Sequence, residues 1–151
     1  MCLISKAAKP IRAKENIIVY KIFKEQFVPG CNIILVTPFT YNHYNMNKRV
    51  LKANFKKLIY SNYRSYLKSI LKYYLFRKGY RSSVKFCDNT HTYGIVDGFF
   101  HSYNNLELAT NQASELNCEI YKCIIPKNTF YYKGINNDLA SRKLKIIEKC
   151  V

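Results

Sequence analysis

Residues 98–134, GFFHSYNNLELATNQASELNCEIYKCIIPKNTFYYKG, decide the fold, because a strand pattern, a helix pattern and a second strand pattern follow one another there without a break. Phe99, Phe100 and Tyr103 surround His101 and Ser102 in an aromatic run that suits a pleated, half-buried surface, entered at Gly98 and left at Asn104-Asn105. The run predicts a strand. Asn104 or Asn105 then caps a helix in which Leu106, Ala109, Ala113 and Leu116 recur at spacings of three and four, with Glu107 favouring the first turn. Asn117 ends it. From there Cys118, Ile120 and Lys122 alternate with Tyr121, Cys123 and Ile125 on opposite faces of a strand, until Pro126 stops the ladder.

Working outward toward the C-terminus, the turn Pro126-Lys127-Asn128 leads to the aromatic patch Phe130, Tyr131 and Tyr132. A loop from Gly134 to Asp138 and a final strand pattern, LKIIEKCV, follow. Toward the N-terminus, Ile17 to Phe23 reads as a strand that is apolar on both faces, which predicts a central strand. Pro29-Gly30 turns the chain, and the β-branched run CNIILVTPF, closed by Pro38, is close enough to form a hairpin with it.

The middle differs in kind. Residues 48 to 81 hold eleven Lys and Arg and no acid, within an acid-free span from Gln26 to Cys87. Leu51, Phe55, Leu58, Ile59, Tyr66, Leu67, Ile70, Leu71 and Tyr74 recur at helical spacings, which predicts a basic helical segment that Ser61-Asn62 can divide in two. Lys52, Lys56, Arg64, Lys68 and Lys72 fall on one row at multiples of four, where like charges repel by about 0.2 to 0.5 kcal/mol per adjacent pair. An anion would relieve that repulsion, so these five are the candidate anion-binding residues.

Charge sharpens the contrast. Residues 1 to 81 carry 12 Lys and 5 Arg against Glu15 and Glu25, a balance of +15, whereas residues 82 to 151 carry 7 Lys and 1 Arg against 7 acids, a balance of +1. A basic first half of this kind points to an anionic partner: nucleic acid, a nucleotide-like ligand, an acidic protein surface or a membrane face. The interleaved tyrosines Tyr60, Tyr63, Tyr66, Tyr73 and Tyr74 offer base stacking where they face outward and core packing where they do not. No zinc-finger spacing, RNP-type aromatic motif or GxxG loop is present, so sequence-specific reading has no motif behind it.

The 151 residues, 48% hydrophobic and 15% aromatic, suffice for one domain with its own core, the basic segment of about residues 41–87 being an elaboration within it. No run approaches the roughly 20 apolar residues of a membrane span and no export signal opens the chain, so a cytoplasmic host-cell or phage-particle location is expected and a membrane partner is not. The six cysteines then read as free thiols, and without a CxxC or clustered histidines neither a metal nor another cofactor is expected. Catalytic motifs are equally scarce. There is no Walker loop, GxGxxG or GxSxG, and no two acids of the C-terminal half are spaced as a catalytic pair. His101 beside Ser102 is the best acid-base candidate, with Tyr20 as a further residue of the same cleft, although packing explains a histidine on an aromatic strand as well.

The start MCLISKAAKP, the strand NIIVYKIF, the Thr37-Pro38-Phe39 step, GFFHSY before a helix, and YKCIIPKNTFYYKG with NDLASRKLKIIE together resemble small uncharacterised proteins of gut Bacteroidales and their crAss-like phages. The resemblance covers both ends of the chain, skips residues 41–87, and implies a phage or host-interaction setting without a mechanism. The C-terminal pattern is also similar to ADP-ribosyltransferase folds. That similarity implies that Tyr20, His101 and Ser102 face a nicotinamide cleft, with Glu148 as the one late-strand glutamate.

The resulting expectation is a single α+β domain: a mixed or antiparallel sheet from the Ile17, Ile33, Phe99, Ile120 and Leu144 strands, the Leu106 helix against it, and the basic helical segment beside it. Its expected function is non-catalytic binding of an anionic partner, foremost nucleic acid. The alternatives are a nucleotide-binding or degenerate transferase-like cleft around His101, and a phage structural or host-defence-interacting protein.

Overall fold

The structure is a computed structural model of the chain, and it describes residues 3–5, 9–29, 33–38, 43–45, 50–52, 67, 71, 74, 84–86, 93–95 and 99–150. In chain order the strands are β1 (Leu3–Ser5), β2 (Ile11–Arg12), β3 (Ile17–Gln26), β4 (Ile34–Val36), β5 (His43–Asn45), β6 (Val50–Lys52), β7 (Val84–Phe86), β8 (Tyr93–Ile95) and β9 (Phe100–Tyr103). Helix α1 (Leu106–Leu116) follows, then β10 (Glu119–Ile125), β11 (Phe130–Lys133), β12 (Asp138–Ser141) and β13 (Lys143–Lys149). The larger sheet runs β2-β11-β12-β9-β3-β10-β13-β6, with β4 joined to β3 and β5 to β4. A smaller sheet, β1-β8-β7, touches it through the Ser5–Gly134 bridge.

The α+β expectation is corrected here. Among the described residues thirteen strands, paired antiparallel throughout, stand against one complete helix, so the fold is sheet-dominated. Short strands explain the difference, because β5, β6 and β12 have three or four residues and cannot display an alternation of their own. In β12 all four residues are buried, which removes the polar half of the pattern altogether. The helix read from Leu51 onward is also corrected at its start, since Val50–Lys52 pairs as a strand with β13. Leu67, Leu71 and Tyr74 do take helical backbone, yet they are 48%, 59% and 56% exposed, where the periodicity turns them toward the core.

The five strands expected from their apolar runs are present as β3, β4, β9, β10 and β13, and β3 lies between β9 and β10 as its two apolar faces require. Val19, Lys21 and Phe23 are buried on one face of β3, with Tyr20 and Ile22 on the other. The first face packs with Tyr121, Cys123, Ile125, Phe100 and Leu144 into the main core, where Phe23 and Tyr121 meet edge to face at 5.7 Å. Such a ring pair adds about 0.5 to 1.5 kcal/mol beyond its buried area.

Helix α1 covers part of the second face. Asn105 caps its start by accepting the Glu107 N–H at 2.7 Å, and Asn117 ends it in the left-handed region at φ 49°. The small side chains of Ala109 and Ala113 bring the helix down onto Ile22, flanked by Tyr20, Tyr103, Leu116 and Ile120. Farther along that face Ile18 and Val50 are exposed. Among the described residues no helix is long and apolar enough to cross a membrane.

Candidate functional site

The open half of the sheet follows from register. Residues opposite one another across a ladder point to the same face, and every second residue along a strand repeats it. Val50, Lys145, Ile124 and Ile18 are aligned across β6, β13, β10 and β3, and Lys52 lies opposite Lys143 one repeat farther along. All six therefore share the face that α1 occupies elsewhere. Ile18 is 54% and Val50 41% exposed, and Lys52, Lys143 and Lys145 are exposed too.

These three lysines form a tight group. Lys52 and Lys143 are direct cross-strand neighbours, which brings their Cβ atoms to about 4.5 to 5.5 Å, and Lys143 and Lys145 are two residues apart on one strand, about 7 Å. Among the described residues the ion pairs are Lys122 with Glu148 at 3.1 Å, and Lys149 with Glu25 at 3.0 Å and Glu119 at 3.1 Å. None involves the three lysines, which repel each other on an apolar floor of Ile18, Ile124 and Val50. A chain of phosphates offers anions at comparable separation and sugar or base surface for the floor.

Of the anion-binding residues read from the sequence, Lys52 is thus placed on a strand at the sheet edge. Lys56, Arg64, Lys68 and Lys72 lie outside the described residues. Lys143 and Lys145 were missed, although their signal was available: two lysines at a spacing of two in a strand pattern must share a face.

The expected His101 cleft divides between two faces. Tyr20 bridges Tyr103, and His101, two residues before Tyr103, shares that side, whereas Ser102 points the other way into the core with its Oγ buried and lacking a hydrogen-bond partner. One cleft cannot hold all three, because a strand reverses its side chains at every residue. Glu148 is opposite Lys122 and ion-paired to it at the far side of the sheet from His101.

Two other groups stand out chemically. Lys21 is 5% exposed with its ammonium 5.6 Å from the Phe23 ring centre, and burial pushes its pKa down to about 8. Glu25 accepts the Tyr121 hydroxyl and pairs with Lys149, and these bonds, the tyrosine's first, hold its carboxyl below the usual range. Cys118, Cys123 and Cys150 are free thiols, and burial pushes the Cys123 thiol up to about 12, so it is inert toward metals and oxidants at neutral pH. No group of three or more His, Cys, Asp or Glu able to hold a metal occurs among the described residues.

Fold and face together define a sheet-dominated protein in which Lys52, Lys143 and Lys145, exposed on one face of the larger sheet, have no acidic partner among the described residues. Comparison with family models, curated proteins and solved structures returns no match to this chain.

Proposed function

We propose that the protein binds nucleic acid, without catalysis, on the open half of the larger sheet. The observation that carries this reading is the Lys52, Lys143 and Lys145 group: exposed, mutually repelling, and free of acidic partners among the described residues. Lys52 also lies within the basic, acid-free stretch of residues 48 to 81, the main reservoir of positive charge in the chain. Contacts of this kind neutralise phosphates and carry no base identity, which predicts affinity for many sequences and strong dependence on salt.

In the setting implied by the sequence resemblance, a bacterial cell infected by a phage, the ligand is phage or host DNA or RNA. Fluorescence anisotropy with labelled single-stranded DNA, single-stranded RNA and duplex DNA tests the reading. Saturable binding to one or more of them at physiological ionic strength, insensitive to sequence, supports it; no binding to any of the three overturns it.

A further inference from the structure

The apolar residues beside the lysines have a direction. Val50, Lys145, Ile124 and Ile18 succeed one another across β6, β13, β10 and β3, so Lys52, Lys143 and Lys145 stand on the two outer strands and the isoleucines run inward from them. Two strand spacings separate Lys145 from Ile18, about 10 Å. On a face turned to solvent an antiparallel strand ordinarily carries polar side chains, yet β3 carries Ile18 there at 54% exposure, and Ile124 beside it is half-buried.

Tyr20 follows Ile18 on the same face, half-buried, and packs against the cluster that seats α1, so an aromatic ring bounds the apolar strip on that side. The next row across the sheet, Glu148, Lys122 and Tyr20, brings one acid, and that acid is ion-paired with Lys122 at 3.1 Å. The face thus offers charge along its outer strands and an apolar strip, ending at a ring, farther in.

We propose that this face takes a single strand of nucleic acid in preference to a duplex, its phosphates along Lys52, Lys143 and Lys145 and its bases turned inward over Ile124 and Ile18 toward Tyr20. The inference rests on the nucleic-acid reading above and adds the form of the ligand. Phosphates alone account for the lysines and leave the isoleucines in water. An unpaired base has a free apolar face and reaches away from its backbone, so it removes Ile18 and Ile124 from water while its phosphate stays at the lysines. In a duplex the bases are paired and stacked inside, and the isoleucines would meet sugar and phosphate, which set charge against an apolar strip. Aliphatic contacts take any base, so the preference is for form and not for sequence.

The test is fluorescence anisotropy of the full chain with three labelled oligonucleotides of one length: a mixed-sequence single strand, the same strand with tetrahydrofuran abasic sites in place of its bases, and its duplex. The proposal expects the natural strand to bind about tenfold or more tighter than both the abasic strand and the duplex at one ionic strength. The natural and abasic strands should share one salt slope, because their phosphates are the same. Ile18→Thr combined with Val50→Thr keeps both exposed positions β-branched, and should bring the ratio of natural to abasic affinity toward one. Equal affinity for the natural and abasic strands, a duplex bound as tightly as the natural strand, or a ratio unchanged in the variant would overturn the inference and leave phosphate binding alone on this face. Failure of all three ligands to bind would instead overturn the nucleic-acid reading on which it rests.

Discussion

Lys52 and Lys143 stand directly opposite one another across the β6–β13 ladder, both exposed, and neither has an acidic partner among the described residues. Like charges in that relationship destabilise a sheet, whereas opposite charges contribute roughly 0.2 to 1 kcal/mol. Lys143→Glu is therefore expected to raise stability by up to about 1 kcal/mol in denaturant unfolding while weakening nucleic-acid binding. A change of both quantities in the same direction would contradict this assignment of the pair.

The buried Lys21 gives stability a pH dependence of its own. Its pKa is about 8 in the folded chain against 10.5 when solvated, so between these values the unfolded chain holds a proton that the folded chain lacks. Stability from this group then rises with pH across that window, and below it the burial penalty is present in full, on the order of 3 kcal/mol. Lys21→Met is expected to be more stable than the parent at pH 7, with the difference shrinking toward pH 10.5. Urea unfolding of both chains across pH 7 to 10.5 measures it.

Glu25 behaves in the opposite sense. Its carboxyl is held below the usual range by the Tyr121 hydroxyl and then by Lys149, so the stabilisation is present above the ordinary glutamate pKa and lost as pH falls through the folded-state value. Tyr121→Phe keeps the ring in the core and removes the bond, at an expected cost of about 1 kcal/mol at neutral pH. Acid titration of unfolding free energy should show that cost fading at low pH.

The helix start offers a local check. Asn105→Ala leaves the Glu107 N–H without its side-chain acceptor and is expected to cost about 1 kcal/mol in thermal unfolding. Substituting Asn104 instead should change little, because the cap is Asn105.

Legibility in the sequence followed the length of each pattern. The α1 boundaries were readable, at Asn117 and to within Asn104 or Asn105, because polar caps flank an apolar period of three and four, and the structure decides for Asn105. The seven-residue β10 showed its alternation plainly, with Tyr121, Cys123 and Ile125 inward. The three-residue β6 did not, since Leu51 suits either a helix period or a strand core, and only its pairing with Leu144 decides. The site was half legible for a related reason. Lys52 was singled out within a helical row, whereas its real neighbours, Lys143 and Lys145, are about ninety residues away and meet it through register alone.

The most direct measurement is the salt dependence of binding to labelled single-stranded and duplex DNA and RNA, comparing the parent with a Lys52→Gln, Lys143→Gln, Lys145→Gln variant. If the three lysines neutralise phosphates, the slope of log affinity against log salt should fall by about 2 to 3 in the variant, at about 0.7 to 0.9 per lost phosphate contact. The variant should fold normally and lose affinity for all sequences alike. An unchanged slope and affinity would remove nucleic acid from the open sheet face and contradict the account.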